Sequence, residues 1–210
     1  MTKTGARFGQ RGLWAIALPL LIQTGLIVSV PLRAAIARVV GKTVVLQTVP
    51  VDPYDPFRGY YTTLRYDISQ RGFLSTLDGW DTVKPMLESA STSELLEPGR
   101  PFFVMLEVPE TGNAPTVPPA VWQPVAVSRQ RPQNLSNNQI ALKGIYRSDH
   151  IIYGLERYYL PEAERIDLDQ RIRAAQTVEE SPRLQVEVRI GPFGNAVPIA
   201  LWLQDERIMF

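Results

Sequence analysis

Two aspartates, Asp52 and Asp55, have the residue type and spacing for carboxylate chemistry. Their oxygens could ligate a hard cation or act as an acid and base pair. No third acidic residue lies beside them, which makes a calcium loop a poor fit. Each aspartate precedes a proline, which holds it extended, and Gly59 follows Arg58 with wide conformational freedom. We therefore favour a rigid corner of the chain over a metal or catalytic site.

A second pair of carboxylates, Glu156 and Glu162, flanks Arg157, Tyr158 and Tyr159. The pair could serve as general acid and base if the fold brought the two groups within about 5–10 Å of each other across a cleft. On a strand, Glu156 and Tyr158 would share one face, and Arg157 and Tyr159 the other. Glu162 suits the first turn of a helix, where negative charge is favoured. The favoured interpretation of this segment is structural.

Other common catalytic and metal-binding patterns are absent from the sequence. There is no cysteine, and His150 is the single histidine. A Ser-His-Asp set would depend on that histidine, yet no G-x-S-x-G turn exists to present a nucleophile. The glycines at Gly191 and Gly194 join two strands and do not open a helix, as a phosphate-binding loop would. We predict no metal site and no cofactor.

The elements that must position these residues are mostly strands. Alternation of apolar and polar residues, or short apolar runs, indicates strands over most of the chain beyond residue 42. Pro124 indicates that its strand lies at an edge or a bulge. The predicted strands are Thr43–Val49, Tyr60–Ser69, Phe102–Val108, Val121–Arg129, Gln139–Tyr146, His150–Leu160, Leu184–Ile190 and Val197–Leu203.

Helices are few in this interpretation. Pro161 and Glu162 suit a helix start. Asp167 and Arg171 form a favourable charge pair one turn apart within that helix. A shorter helix is predicted over Val83–Ala90. The fold class is therefore mainly β, an antiparallel sandwich or barrel-like domain with one or two short helices, preceded by one N-terminal transmembrane helix.

The strand predicted after the corner is rich in tyrosine. Tyr60 and Tyr66 would point to one face, and Tyr61 to the other. These rings could line a binding groove, but aromatic residues on strands are usually packing residues.

Charge is distributed unevenly along the chain. Six of its 22 basic residues lie in residues 1–42, which contain none of its 21 acidic residues. Residues 43–210 therefore hold 16 basic and 21 acidic residues, a net charge of −5. An acidic domain is a poor candidate for binding nucleic acid. The basic segment suits the flanks of a membrane anchor.

Residues 12–32 contain no charged side chain. A helix of that length spans roughly 30 Å, the thickness of a bilayer core. A cleaved signal peptide would have a shorter apolar core, and a buried helix of a soluble protein seldom has so long an uncharged stretch. We favour an uncleaved anchor over both alternatives.

The chain is predicted to divide at this anchor. Residues 1–11 form a cytosolic basic tail, 12–32 the transmembrane anchor, 33–42 a basic juxtamembrane linker and 43–210 an extracytoplasmic β-rich domain. Basic residues are evenly matched on the two sides of the span, so the orientation depends on the short tail and on the acidic domain, which is easily translocated.

Two blocks of sequence resemble the GDYXXLXY family. Gly59–Tyr66 (GYYTTLRY) is similar to the signature that names the family, and Val51–Arg58 to its V-D-P-R-D-x-x-R lead-in. Gly154–Glu162 (GLERYYLPE) is similar to a second block, G-x-E-R-[FY]-Y-x-P-E, and the resemblance extends from about Val44 to Leu203. The motif candidates for binding are Asp52, Asp55, Arg58, Gly59, Tyr61, Leu64, Tyr66, Glu156, Arg157, Tyr159 and Glu162.

The sequence departs from the family pattern at two positions. Tyr60 stands where the signature has aspartate, and Tyr54 where the lead-in has arginine. Any chemistry that relied on that aspartate in relatives would be lost here, which favours a structural role for the motif. The resemblance implies a bacterial, often cyanobacterial, membrane-anchored protein with an extracytoplasmic domain. It implies that relatives are commonly encoded beside multi-pass membrane proteins, and it implies no established activity.

Two functions remain open from the sequence. The first is a non-catalytic binding or assembly module for a membrane protein partner, attached to the bilayer of the inner membrane or another internal bacterial membrane. The second is an extracytoplasmic hydrolase or carbohydrate-processing enzyme that uses Asp and Glu carboxylates. A cleft with two carboxylates and aromatic walls would favour the enzyme, whereas an exposed apolar patch or open sheet edge would favour the binding module. Because no nucleophile or metal constellation is evident, we favour the binding module.

Overall fold

The computed structural model of the protein describes residues 9–49, 62–63, 65–90, 99–109, 117–147, 150–158 and 184–209. It opens with one long helix, which leads into strands interrupted by short helices. The helices are α1 (Gly9–Val40), α2 (Arg71–Leu74) and α3 (Trp80–Ala90). The strands are β1 (Lys42–Val49), β2 (Thr62–Thr63), β3 (Arg65–Tyr66), β4 (Arg100–Glu107), β5 (Gln123–Ser128), β6 (Gln139–Arg147), β7 (His150–Ile152), β8 (Arg157–Tyr158), β9 (Leu184–Ile190), β10 (Ala196–Leu203) and β11 (Glu206–Met209).

Helix α1 contains two prolines and is bent. Its segments Ala17–Ser29 and Pro31–Val40 meet at an angle of 44°. Proline lacks a backbone N–H and crowds the preceding turn, which explains a bend beside Pro31. No single helix in the described part of the chain is long and apolar enough to cross a membrane, and the two segments of α1 meet the length and hydropathy requirement only when they are taken together. The helix also continues through residues 33–40, most of the predicted juxtamembrane segment.

The strands form two main antiparallel sheets. The larger has the order β11-β10-β9-β1-β3, and the second has the order β5-β4-β6-β7. Strands β2 and β8 form a small third pair. Every pairing between named strands in the described ranges is antiparallel. The prediction of a mainly β, antiparallel domain with a few short helices is therefore confirmed.

One hydrophobic core is shared by both main sheets. Val186 and Val188 of β9 and Val104 of β4 are fully buried in it, together with Leu87 of α3. The sheets are also joined through the backbone, because the N–H of Lys143 donates to the carbonyl of Gly194 at 2.8 Å. Burial of apolar area on facing strands is the dominant stabilising contribution in such a fold.

Most predicted strands are found within two residues of their predicted limits. This holds for β1, β4, β5, β6, β9 and β10. Pro124 behaves as expected, because β5 is an edge strand and its register with β4 shifts between Met105 and Leu106, opposite the proline. The helix predicted over Val83–Ala90 begins earlier, at Trp80.

Two predicted strands are divided in the structure. The strand predicted over Tyr60–Ser69 ends at Tyr66, because residues Asp67–Ser69 form a 3-10 turn in which the N–H of Gln70 donates to the carbonyl of Asp67 at 3.1 Å. The strand predicted over His150–Leu160 is interrupted at Gly154, whose φ of +79° suits a turn and not a strand. Helix α2 and strand β11 were not predicted, and the helix predicted from Pro161 lies outside the described residues.

Candidate functional site

The two motif blocks identified in the sequence meet in the structure. Strand β2, from the first block, pairs antiparallel with β8, from the second. Thr62 lies opposite Tyr158, and Thr63 lies opposite Arg157. Segments about 90 residues apart in sequence are therefore brought into backbone contact, which defines the junction between the blocks as the candidate site.

Tyr66 belongs to the first block and reaches into the second. It lies on β3 opposite Thr48 of β1 and is fully buried. Its hydroxyl donates a hydrogen bond to the backbone carbonyl of Leu155 at 2.9 Å. A buried tyrosine usually finds a partner for its hydroxyl, and here that partner is backbone of the second block.

Tyr153 makes the opposite connection. It immediately precedes the second block, it is buried, and its hydroxyl donates to the carbonyl of Ile68 at 2.6 Å. The two tyrosines thus hold each other's segments, and we call Tyr66, Ile68, Tyr153 and Leu155 the tyrosine clasp. Gly154, in the left-handed region, turns the chain between Tyr153 and Leu155.

The electrostatic environment keeps the Tyr153 hydroxyl protonated. Burial raises its pKa well above the ordinary value of 10.0, and the carboxylate of Glu156 raises the pKa further. Glu156 itself accepts a hydrogen bond from the backbone N–H of Tyr153. The hydroxyl therefore acts as a hydrogen-bond donor to Ile68 throughout the physiological pH range.

Two polar side chains of the 3-10 turn that follows Tyr66 also lie beside the clasp. Partial burial raises the pKa of Asp67, which begins the 3-10 turn directly after Tyr66. In the same turn, the hydroxyl oxygen of Ser69 is buried and has no hydrogen-bond partner among the residues that the structure describes. Asp67 lies within the strand predicted over Tyr60–Ser69, because period-two alternation does not indicate a tight turn.

The tyrosine clasp connects the two sequence blocks, but its polar groups are poorly placed to react with a substrate. Both clasp hydroxyls are buried and already bound to carbonyls, so neither is available as a nucleophile or proton donor to a substrate. Within the described ranges, no group of three or more His, Asp or Glu side chains could hold a metal ion.

The predicted site residues divide into those that the structure describes and those that it does not. Tyr66 and Glu156 lie at the junction, and Arg157 contributes backbone to β8. Tyr153 was missed, although its place directly before Gly154 of the second block was the available signal. The predicted residues that lie outside the described ranges are Asp52, Asp55, Arg58, Gly59, Tyr61, Leu64, Tyr159 and Glu162.

Comparison with known proteins bears directly on this junction. A model of the GDYXXLXY protein family matches residues 23–201, which is most of the chain. No curated protein and no solved structure matches the chain at a significant level. The matched range includes both blocks, the tyrosine clasp and the C-terminal half of α1. The chain therefore belongs to the GDYXXLXY family.

Proposed function

We propose that the protein is a single-pass membrane protein whose extracytoplasmic β-domain binds a membrane protein partner and performs no catalysis. The observation that carries this proposal is the surface of α1. Eleven of its large apolar side chains are between 49% and 76% exposed, and they occur on all sides of the helix. A helix that is apolar all round requires an apolar environment, which a bilayer supplies. These side chains are Trp14, Leu18, Leu20, Leu21, Ile22, Leu26, Ile27, Val28, Leu32, Val39 and Val40.

The attachment of α1 to the domain supports a role in presenting a surface. The side-chain amide of Asn195 donates to the carbonyl of Arg33 at 2.9 Å, and the guanidinium of Arg189 donates to the carbonyl of Arg38. Arg38 lies in the last turn of α1, so the bond from Arg189 satisfies a carbonyl group that has no donor within the helix. An anchor fixed in this way would hold the sheets at a defined angle to the membrane, as a docking module requires.

The tyrosine clasp supports binding over hydrolysis. In an enzyme, the tyrosines and Glu156 of the motif would face a substrate, whereas here Tyr66 and Tyr153 serve the fold.

The proposed partners follow from charge and location. Residues 43–210 carry a net charge of −5, which disfavours nucleic acid and suits translocation across a bacterial inner membrane or another internal bacterial membrane. The lipid bilayer is the first partner, and a multi-pass membrane protein is the second.

The test uses the full-length chain expressed in a bacterial host. We expect the protein to remain in the membrane fraction after an alkaline wash and to be released by mild detergent together with a stoichiometric membrane protein. A freely soluble chain would refute the anchor. Recovery of the chain alone, with turnover of compounds in a glycan panel, would favour the enzyme instead.

The orientation is tested on the same preparation. Because the chain lacks cysteine, Asp205→Cys introduces one thiol in the domain and Thr4→Cys one in the tail. A membrane-impermeant maleimide applied to intact spheroplasts should label the first variant and not the second. The reverse pattern would place the domain in the cytosol.

A further inference from the structure

The turn between β9 and β10 lies directly against the end of α1. Asn195 of this turn donates to the carbonyl of Arg33 at 2.9 Å. At the other end of the turn, a Cβ built on Gly191 would lie 3.0 Å from both the Cα and the Cβ of Ala37. The turn Gly191–Asn195 is therefore held at the level of residues 33–37 of the helix.

The depth of the turn relative to the bilayer follows from this position and rests on the membrane anchor proposed above. The proposed span ends at Leu32, and Arg33 is the next residue. A turn bonded to Arg33 would then lie at the boundary between hydrocarbon and headgroups. The β-domain would be seated on the bilayer surface and would not extend from it on a free linker.

The tip of the turn has the chemistry of an interfacial contact. At this tip the ring of Phe193 is 59% exposed. Apolar side chains at this depth gain by entering the boundary between headgroups and acyl chains.

The end of α1 beside the turn carries charges of one sign. Arg33 and Arg38 have exposed side chains, and neither forms an ion pair with an acidic side chain in the part of the chain that the structure describes. No acidic residue occurs in residues 1–42 or in 191–204. Lys42 is exposed as well, although its ammonium group lies over the ring of Trp122 and donates to the carbonyl of Asn137. A surface of exposed cations beside an apolar tip complements anionic lipid headgroups.

We propose that the turn Gly191–Asn195, together with Arg33 and Arg38, forms a second membrane contact that binds anionic lipid headgroups. Phe193 enters the headgroup boundary, and the two guanidinium groups contact lipid phosphates. The domain is thereby held in one orientation on the membrane that carries its anchor.

The absence of native cysteine allows a direct test by site-specific labelling. The full chain is reconstituted into vesicles made of equal parts of phosphatidylcholine and phosphatidylglycerol, with a trace of lipid that carries a nitroxide on its headgroup. A fluorophore is attached to Phe193→Cys or to Asp205→Cys. Asp205 follows the far end of β10 and lies about 25 Å from the turn, given the rise of a strand.

We expect the label at position 193 to be quenched several-fold more strongly than the label at position 205. Equal quenching at the two positions, whether weak or strong, in vesicles that carry the protein would overturn the contact while leaving the anchor intact. Failure of the protein to float with the vesicles would overturn the anchor, and the contact with it.

The contribution of charge is tested with a double variant, Arg33→Gln with Arg38→Gln. The sheet binds the backbone carbonyls of these residues and not their side chains, so the variant retains the attachment of α1. In the mixed vesicles the variant should reduce quenching at position 193. In vesicles of phosphatidylcholine alone, the parent and the variant should be quenched alike. An unchanged signal in the mixed vesicles would contradict the role of the two arginines.

Discussion

At the scale of single residues, Tyr153 is positioned by contacts at both ends of its side chain. Its hydroxyl donates to Ile68, and its ring lies against β6 where Gly144 provides space. A Cβ built on Gly144 would lie 3.0 Å from Cε1 of Tyr153 and 2.9 Å from Cζ of Phe102. The clasp therefore depends on a residue without a side chain as well as on its hydrogen bonds.

The first prediction concerns the buried hydroxyl of Tyr153. In Tyr153→Phe the carbonyl of Ile68 loses its donor inside the core, so the free energy of unfolding should fall by about 1–3 kcal/mol. The matched control is Ser75→Ala, because the Ser75 hydroxyl donates to the carbonyl of Gly72 at 2.7 Å at an exposed site. Water replaces that bond in Ser75→Ala, so the free energy of unfolding should change by no more than about 0.5 kcal/mol. Both free energies are to be measured by denaturant unfolding of the full chain in detergent.

Tyr66→Phe should lower the free energy of unfolding by a similar amount. The double variant tests whether the two hydroxyls act together. Because both connect the same two segments, the cost of the double variant should differ from the sum of the single costs by about 0.5 kcal/mol or more. Strict additivity, or a Tyr153→Phe effect no larger than that of Ser75→Ala, would contradict the clasp.

The sequence identified part of this site and could not identify the rest. Tyr66 was found because it belongs to a recognisable motif, and its full burial agrees with the packing role that aromatic residues on strands usually have. Tyr153 was missed because its partner is a carbonyl 85 residues away, and backbone groups carry no sequence signal. Only the fold shows that such a carbonyl is within reach.

At the scale of secondary-structure elements, three strands meet at Glu187 of β9. Its carboxylate accepts a hydrogen bond from Trp202 of β10 at 3.2 Å and two from Arg207 of β11, at 2.8 and 3.0 Å. Partial burial alone would raise the pKa of Glu187, but the hydrogen bonds from Arg207 and Trp202 outweigh it and lower the pKa below the ordinary value of 4.5. Glu187 thus holds the unpredicted edge strand β11 to the sheet.

The second prediction is an acid dependence of stability. Since the folded-state pKa of Glu187 is depressed, its stabilising contribution is complete above about 4.5 and is lost as pH falls through the folded pKa. Arg207 is 38% exposed, so solvent limits the contribution to about 1 kcal/mol. Glu187→Gln should be less stable than the parent at neutral pH by that amount, and the difference should narrow below the ordinary pKa.

The control is Asp205→Asn, which removes a negative charge from the exposed turn between β10 and β11. It should change stability little at any pH. If Glu187→Gln and the parent differed by the same amount in acid as at neutral pH, the lowered pKa of Glu187 would be contradicted.

The positions of the strands in the sequence were more predictable than the partners with which they pair. Leu184–Ile190 is a clear strand because its apolar residues alternate, and the structure buries all four of them. No such pattern reveals that β9 pairs with β1, or that β2 and β3 pair with different strands. Strand partners depend on long-range geometry, which alternation along one strand does not encode.

At the scale of the whole molecule, the protein consists of an apolar helix and a β-domain joined without a free linker. Gly41 is the single residue between α1 and β1, and its N–H donates to the carbonyl of Ala37 at 2.9 Å. A Cβ at this position would lie 2.2 Å from the Ala37 oxygen and 3.0 Å from the Ile190 oxygen. Both atoms belong to the backbone, so the contact could be relieved only by moving the last turn of the helix and its junction with the sheet.

The final prediction is that Gly41→Ala loosens this connection, whereas Gly25→Ala does not. Gly25 lies in α1 with nothing within 4 Å of a Cβ built on it, which makes it a matched control. Overpacking at Gly41 should lower the free energy of unfolding by about 1–3 kcal/mol. Spin labels on Ala35→Cys and Phe193→Cys should give one narrow distance distribution in the parent and in Gly25→Ala, and a broad distribution in Gly41→Ala. A narrow distribution in all three would mean that the close backbone contact at Gly41 does not set the position of α1, and that Asn195 and Arg189 are sufficient to hold the helix.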